Sequence, residues 1–218
     1  GKLLVFTSQS TLDGNVSSYV FSRDKETPSM KVDISKYPGA YAWLGNDLFA
    51  RSVGLEIEYW WTDKQVQVCH SKEASDWIGD LRYNSTKGYL AIGADDKMVR
   101  LLQVNNGRIF RTFSHDWPTT DLAVDESGQW LATSTSNDKY IMWNVESGNR
   151  EWEMEYDGAP ASAVEFDSTG TTLAIGGWPI RIVNAKTGKT IREMVGSKPT
   201  VEQLAFSSSG DMVIAYTN

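Results

Sequence analysis

The stretch that decides the fold is Thr119–Trp152, TTDLAVDESGQWLATSTSNDKYIMWNVESGNREW. Leu122 and Val124 alternate with polar neighbours before Asp125-Glu126-Ser127-Gly128 supplies turn chemistry. Trp130, Leu131 and Ala132 open a second short apolar run, which Asn137-Asp138 interrupts, and Tyr140 to Val145 form a third. Ser147-Gly148-Asn149 makes another turn, and Glu151-Trp152 begins a fourth run. Four short runs with a turn signal between each predict a four-stranded antiparallel meander.

Working outward, the unit repeats. Gly128 precedes Leu131 by three residues, and similar pairs occur at Gly1 and Leu4, Gly45 and Leu48, Gly88 and Leu90, Gly170 and Leu173, and Gly210 and Val213. The apolar anchors are 44, 42, 41, 42 and 40 residues apart. A second ladder, Gly107, Gly148 and Gly188, keeps the same period at 41 and 40. Long apolar patterns at helical spacing are missing, and Gly, Ser, Thr and Asn punctuate the chain too often for helices. Within each period, strands a to d run from innermost to outermost. Strand a is predicted near 39–45, 78–84, 119–125, 161–167 and 200–207. Strand b falls near 2–8, 47–53, 89–94, 130–135, 172–176 and 212–217. Strand c falls near 16–22, 56–62, 98–104, 140–145 and 180–184, and strand d near 29–34, 65–70, 108–114, 150–156 and 189–195. A meander of about 40 residues cannot bury both of its faces alone. Units set radially bury them against each other, so the expectation is an all-β propeller of four-stranded antiparallel blades.

Particular motifs then show a resemblance. Met142-Trp143-Asn144 ends an apolar strand, Ser114-His115 lies upstream, and Val124-Asp125-Glu126-Ser127-Gly128 leads into Leu131-Ala132-Thr133. Ala185-Lys186-Thr187-Gly188-Lys189 makes a second turn of similar type. These resemble the WD-repeat family of β-propellers, with Asn for Asp after the tryptophan and Ser for Gly before the histidine. Leu102 and Val183 stand in the tryptophan slot of the neighbouring repeats. The resemblance implies one inner hydrogen-bond network, drawn from His115, Thr133 or Thr135, Asn137 and Trp143. It is sharp from about 76 to 218 and weak over 1–70. On this reading residues 1–218 are one propeller domain, with repeats at about 1–35, 36–74, 75–116, 117–158, 159–197 and a partial 198–218. Three strands at the start, sixteen in the middle and two at the end exceed a closed ring of five blades. A seven-bladed ring needs about 290 residues at this period, and the expectation is a portion of a larger propeller.

Composition narrows the function. Hydrophobic residues make up 40% and charged residues 22% of the 218, an ordinary globular balance. A net charge of -7 argues against general nucleic-acid or anionic-membrane binding, which needs a basic footprint. No apolar run approaches the ~20 residues of a membrane helix. The chain opens at Gly1 with no signal-peptide pattern, and an upstream region is compatible with that start. The single cysteine, Cys69, excludes an internal disulfide; the expectation is a reducing, intracellular setting, cytoplasmic or nuclear, with a secreted protein without disulfides as the alternative.

The search for chemistry predicts no catalytic residue, no metal and no cofactor. Gly188-Lys189-Thr190 resembles the tail of a phosphate loop, but position 183 is Val and the setting is a hairpin turn. His70 and His115 fall in different repeats. Cys69 and His70 are neighbours on a strand and are expected on opposite faces. Glu151, Glu153 and Glu155 share one face of an outer strand, as a solvated edge would. Asp80, Asp121, Glu165 and Glu202, one per inner strand, leave open a ligand-binding or catalytic propeller with a central acidic site. A sensor domain of a larger signalling protein is a third alternative. The sharper lead is aromatic. Trp77 and Trp117 each lie 11 residues before a turn glycine, in the loop from strand d to the next strand a, and Trp178 lies in a strand b to c turn. In a propeller both loop types open on one face. Together with Asp76, Asp95, Asp96, Asp116 and Asp138, these tryptophans are the expected partner-binding residues. The family resemblance implies a non-catalytic scaffold that presents this face to a protein or peptide within a larger complex.

Overall fold

The computed structural model describes residues 8–10, 16–20, 30–34, 39–45, 48–61, 66–156, 163–195, 201–207, 209–210 and 213–217. Every regular element among them is a β-strand, and no helix there is long and apolar enough to cross a membrane. The chain divides into two compact units, Gly1–Ile78 and Gly79–Asn218.

The first unit holds two antiparallel sheets. One has three strands, β1 (Ser8–Ser10), β2 (Val16–Val20) and β3 (Met30–Ile34). The other has four in chain order, β4 (Tyr41–Gly45), β5 (Leu48–Val53), β6 (Glu56–Trp61) and β7 (Val66–Lys72). Phe49, Ala50 and Ile57 are fully buried in it. The backbone approaches closely at Gly39, where a Cβ would lie 2.0 Å from the Ser52 carbonyl oxygen. Of the predicted first strand at 2–8, only Ser8 is among the described residues, and β1 begins there.

The second unit repeats the four-stranded plan. Its first blade is β8 (Ile78–Asn84), β9 (Tyr89–Ala94), β10 (Met98–Gln103) and β11 (Arg108–Ser114). The second is β12 (Thr119–Val124), β13 (Trp130–Thr135), β14 (Lys139–Asn144) and β15 (Arg150–Glu155). The third is β16 (Val164–Phe166), β17 (Thr172–Ile175), β18 (Ile180–Asn184) and β19 (Thr190–Met194). A two-stranded sheet, β20 (Val201–Phe206) and β21 (Val213–Thr217), follows. Each sheet is a plain antiparallel meander, as the spacing of runs and turns predicts.

Period-two alternation explains the radial stacking. In β12 to β14, Leu122, Leu131, Ile141 and Trp143 face one way and pack with Tyr89, Val99, Leu101 and Phe113 of the preceding blade. The residues between them, Ala123, Ala132, Tyr140 and Met142, face the other way and pack with Val164, Leu173, Ile175 and Val183. Both faces of the middle blade are therefore dry, which a lone meander cannot achieve. The outermost strands contribute less: Phe113 is the buried residue of β11, and β15 is exposed or half-buried throughout. Tight turns hold the strand ends. Gly128 adopts φ +70, and a Cβ there would come 2.6 Å from Lys87 Cγ and 2.9 Å from Asn84 Oδ1, so hand and space both require glycine.

Polar side chains stitch blade to blade. Asn84 is buried. Its Nδ2 donates to the Asp125 and Glu126 carbonyls at 2.8 and 3.1 Å, while its Oδ1 accepts from the Lys87 amide. Tyr140 donates to the Gly176 carbonyl at 2.8 Å, and Trp152 Nε1 to the Ala185 carbonyl at 2.7 Å. Within the best-preserved blade, Trp143 Nε1 donates to Thr133 Oγ1 at 3.1 Å, and Thr133 Oγ1 lies 3.0 Å from His115 Nε2. The expected four-member network is therefore shorter. Thr135 donates to Asn137 Oδ1 instead, and His115 Nδ1 is buried without a hydrogen-bond partner. Burial, helped by the nearby Arg150 charge, lowers the His115 pKa to about 4.

Two predictions come from these contacts. Replacing Asn84→Ala strands two carbonyls at a blade interface and is expected to lower the unfolding free energy by about 2 kcal/mol, measured by urea denaturation at pH 7. For His115 the folded pKa lies below the unfolded value. Its neutral form is favoured in the fold, so its contribution is complete above pH 6.5 and is lost as pH falls towards 4. The loss is on the order of 3 kcal/mol. Unfolding curves from pH 7 to 4 should show that loss in the parent chain and not in His115→Asn. Carboxylates common to both chains cancel in the comparison.

Candidate functional site

At one end of the second unit, the strand b to c turns of the first two blades are bonded to the loops that precede or follow those blades. The His115 amide donates to the Lys97 carbonyl, Ser136 to the Pro118 carbonyl and Tyr156 to the Asp138 carbonyl, each at 2.9 Å. These bonds fix the loop that carries Trp117. Its side chain is 51% exposed, unusual for a residue that normally buries most of its surface. Lys97 Nζ stands 5.9 Å from the ring centroid, a cation–π contact worth about 0.5–1 kcal/mol at an exposed site. Asp116, next to Trp117, is exposed.

The other expected residues are placed individually. Trp178 lies half-buried at the same end of the unit, one blade further on, and precedes Pro179 through a cis peptide bond. Tyr156 donates its hydroxyl proton to the Pro179 carbonyl. Asp95 is exposed in the β9 to β10 turn. Asp96 is committed to Arg100, with contacts of 3.0 and 2.7 Å to its two oxygens. Asp138 is half-buried and occupies the left-handed region at φ 61. Trp77 belongs to the first unit. It is half-buried, its amide donates to Asp76 Oδ1 at 2.8 Å, and the next residue, Ile78, donates to the Gly54 carbonyl at 2.9 Å. Trp117 and Trp178 thus share one end of one unit, and Trp77 is anchored in the other.

The inner carboxylates have structural partners. Asp80 Oδ2 accepts the Leu122 amide at 3.0 Å, and Asp121 Oδ2 accepts the Val164 amide at 2.8 Å, so each ties its strand to the inner strand of the next blade. Arg82 spans the two, 2.5 Å from Asp80 Oδ1 and 2.9 Å from Asp121 Oδ1. Burial, reinforced by Asp80 and opposed by Arg82, raises the Asp121 pKa, and burial also raises that of Glu165. Glu202 is exposed on β20. Both Asp80 and Asp121 thus carry a backbone amide of the next blade and the Arg82 guanidinium, the partners of a structural joint.

Elsewhere, Gly188-Lys189-Thr190 forms a β18 to β19 turn, where the Gly188 amide donates to the Asn184 carbonyl at 2.9 Å. Glu153 and Glu155 sit opposite Lys139 at 2.7 and 3.2 Å, so a cation on the adjacent strand offsets part of the acidic edge. Cys69 and His70 lie in β7, and their side chains are outside the described residues. Among the described residues no group of three His, Cys, Asp or Glu is placed to hold a metal ion.

Two contributors escape a reading by motif. Lys97, at φ 67, occupies the turn position equivalent to Asp138, 41 residues earlier, and the repeat period is the signal that pairs them. Arg82 lies two residues after Asp80 on the same strand face, which places its charge beside the inner acids.

Comparisons agree with this geometry. Residues 107–144 match the model for the WD domain, G-beta repeat. The chain is similar to the WD repeat-containing protein SL1-17 of Schistosoma mansoni, 24% identical over 161 residues, which are 72% of this chain and 53% of that protein. It is 27% identical over 115 residues to the human WD repeat-containing protein 36, covering 52% of this chain and 13% of that protein. It is 23% identical over 201 residues to the rat telomerase protein component 1, covering 87% of this chain and 7% of that protein. The chain therefore spans about half, or much less, of the length of these relatives. The matched repeat runs from the β10 to β11 turn to the end of β14, around the residues His115, Thr133 and Trp143 that the fold brings together; the chain thus carries a WD-type repeat within a series of four-stranded antiparallel blades like those of a β-propeller.

Proposed function

We propose that the chain is a non-catalytic platform that holds a protein or peptide partner at the loop end of its blades, as a subunit of a larger intracellular assembly in the cytoplasm or nucleus. The carrying observation is Trp117, half-exposed on a loop whose backbone is bonded to the neighbouring turn. An anchor already ordered in the free protein loses little entropy on binding, and tryptophan is a favoured anchor at interfaces. Trp178 extends the same end of the second unit, and Trp77 is a separate candidate contact of the first unit taken by itself. Exposed Asp76, Asp95 and Asp116 select a partner segment with positive charge beside its apolar anchor. The committed inner carboxylates support the non-catalytic reading.

Trp117→Ala is expected to lower the unfolding free energy by about 1–2 kcal/mol and leave the chain folded, since half of the side chain is exposed. The variant should lose at least about tenfold in affinity for proteins retained by the immobilised parent chain, and Trp77→Ala together with Trp117→Ala should lose more. Retention by mass spectrometry and thermal melts on the same samples check both. Undiminished retention by a folded double variant overturns the proposal.

A further inference from the structure

The opposite end of the second unit carries a second docking feature, independent of Trp117. The turns after β8, β10, β12 and β14 meet there and enclose a groove of about 570 Å³ between the first two blades of that unit. Its wall is aromatic. Tyr89 is buried, and Phe110 meets it edge to face at 5.6 Å while staying 45% exposed. Its charge is the reverse of the chain's. Lys87 and Arg111 line the groove against a single acid, Glu146, and among the described residues neither cation pairs with a carboxylate. Arg111 gives one hydrogen bond, from Nη2 to the Glu146 carbonyl, and its Nε is buried without a partner. A buried donor left unpaired in a native fold calls for an explanation, and an acceptor brought by a ligand supplies one.

The next interface shows how this slot is closed when nothing is to enter. Trp152 stands 41 residues after Arg111, at the equivalent place. Its indole donates to the Ala185 carbonyl and packs within 3.0 Å of the Cβ position of Gly188. Arg111 reaches the corresponding turn in the same way, with Nη1 3.1 Å from the Cβ position of Gly148. One blade interface is thus plugged by an indole and sealed by its N–H. The other substitutes a cation and leaves an aromatic-walled groove beside it.

We infer that this groove docks an acidic peptide segment with one large apolar side chain. The apolar group rests against Phe110, and a flanking carboxylate is taken up by Arg111 and Lys87, since charge-assisted bonds to a guanidinium are the stronger kind. The site lies at the far end of the strands from Trp117, so the blade unit holds two segments at once.

The test uses the full chain and two synthetic eight-residue peptide libraries. One has a central Phe, Leu or Met flanked by two glutamates on each side, and the other has lysines in place of the glutamates. By fluorescence anisotropy the glutamate library binds at least about tenfold more tightly than the lysine library. Lys87→Glu and Phe110→Ser, both at exposed side chains, each weaken it about tenfold with unchanged thermal melts. Arg111→Met weakens it further. Lys186→Glu, the same charge change on the equivalent turn of the plugged interface, leaves it unchanged. Equal binding of the two libraries, no binding at millimolar peptide, or indifference to Lys87→Glu and Phe110→Ser overturns the inference.

Discussion

A sheet that is apolar on both faces cannot exist alone in water, and the rest of the second unit depends on that constraint. Leu131 and Ala132 are consecutive and equally buried, yet they face different neighbouring blades. Each blade therefore needs two partners, and the order of strands within it follows from short connections. The inner strand of the middle blade is more buried than its outer strand. This is why β12 to β14 carry the apolar residues and β15 carries glutamates. It also explains why carboxylates can sit innermost: Asp80 and Asp121 are held by amides of the next blade and by Arg82. Acids that would suggest chemistry in another fold serve there as joints.

Much of this architecture was legible in the sequence, because glycine positions carry backbone information. The 41-residue ladder from Gly107 to Gly148 marks turns with positive φ, and strand positions then follow by counting from one turn to the next. Strand ends differ from the predicted ranges by few residues; β14, predicted at 140–145, runs from Lys139 to Asn144. Trp117 was legible as a candidate for a different reason. It shares with Trp77 a slot 11 residues before a turn glycine, and its side chain is 51% exposed.

What was not legible depends on side chains meeting across blades. Nothing local in the sequence says that Asn84 will donate to the carbonyls of residues 125 and 126, since that bond needs two turns from different repeats to touch. The same holds for Arg82 and Asp121, 39 residues apart. The motif for the inner network was present, but its outcome was not. Asn137 Oδ1 accepts from Thr135, and His115 Nδ1 is buried without a partner. A family pattern transmits the shape of a blade more faithfully than the bonding of any one member.

Some bonds between blades repeat, as at Asp80 and Asp121, but others differ, and these give the repeats an address. An amide clamps the first interface of the second unit through Asn84, while a phenol and an indole seal the next through Tyr140 and Trp152. Blades of nearly identical backbone could otherwise stack in the wrong order during folding. A misplaced neighbour would leave a buried amide or indole without its acceptor, at about 1–3 kcal/mol for each group. Dissimilar seams thus act as a lock-and-ward system, in which similar keys are kept from each other's doors.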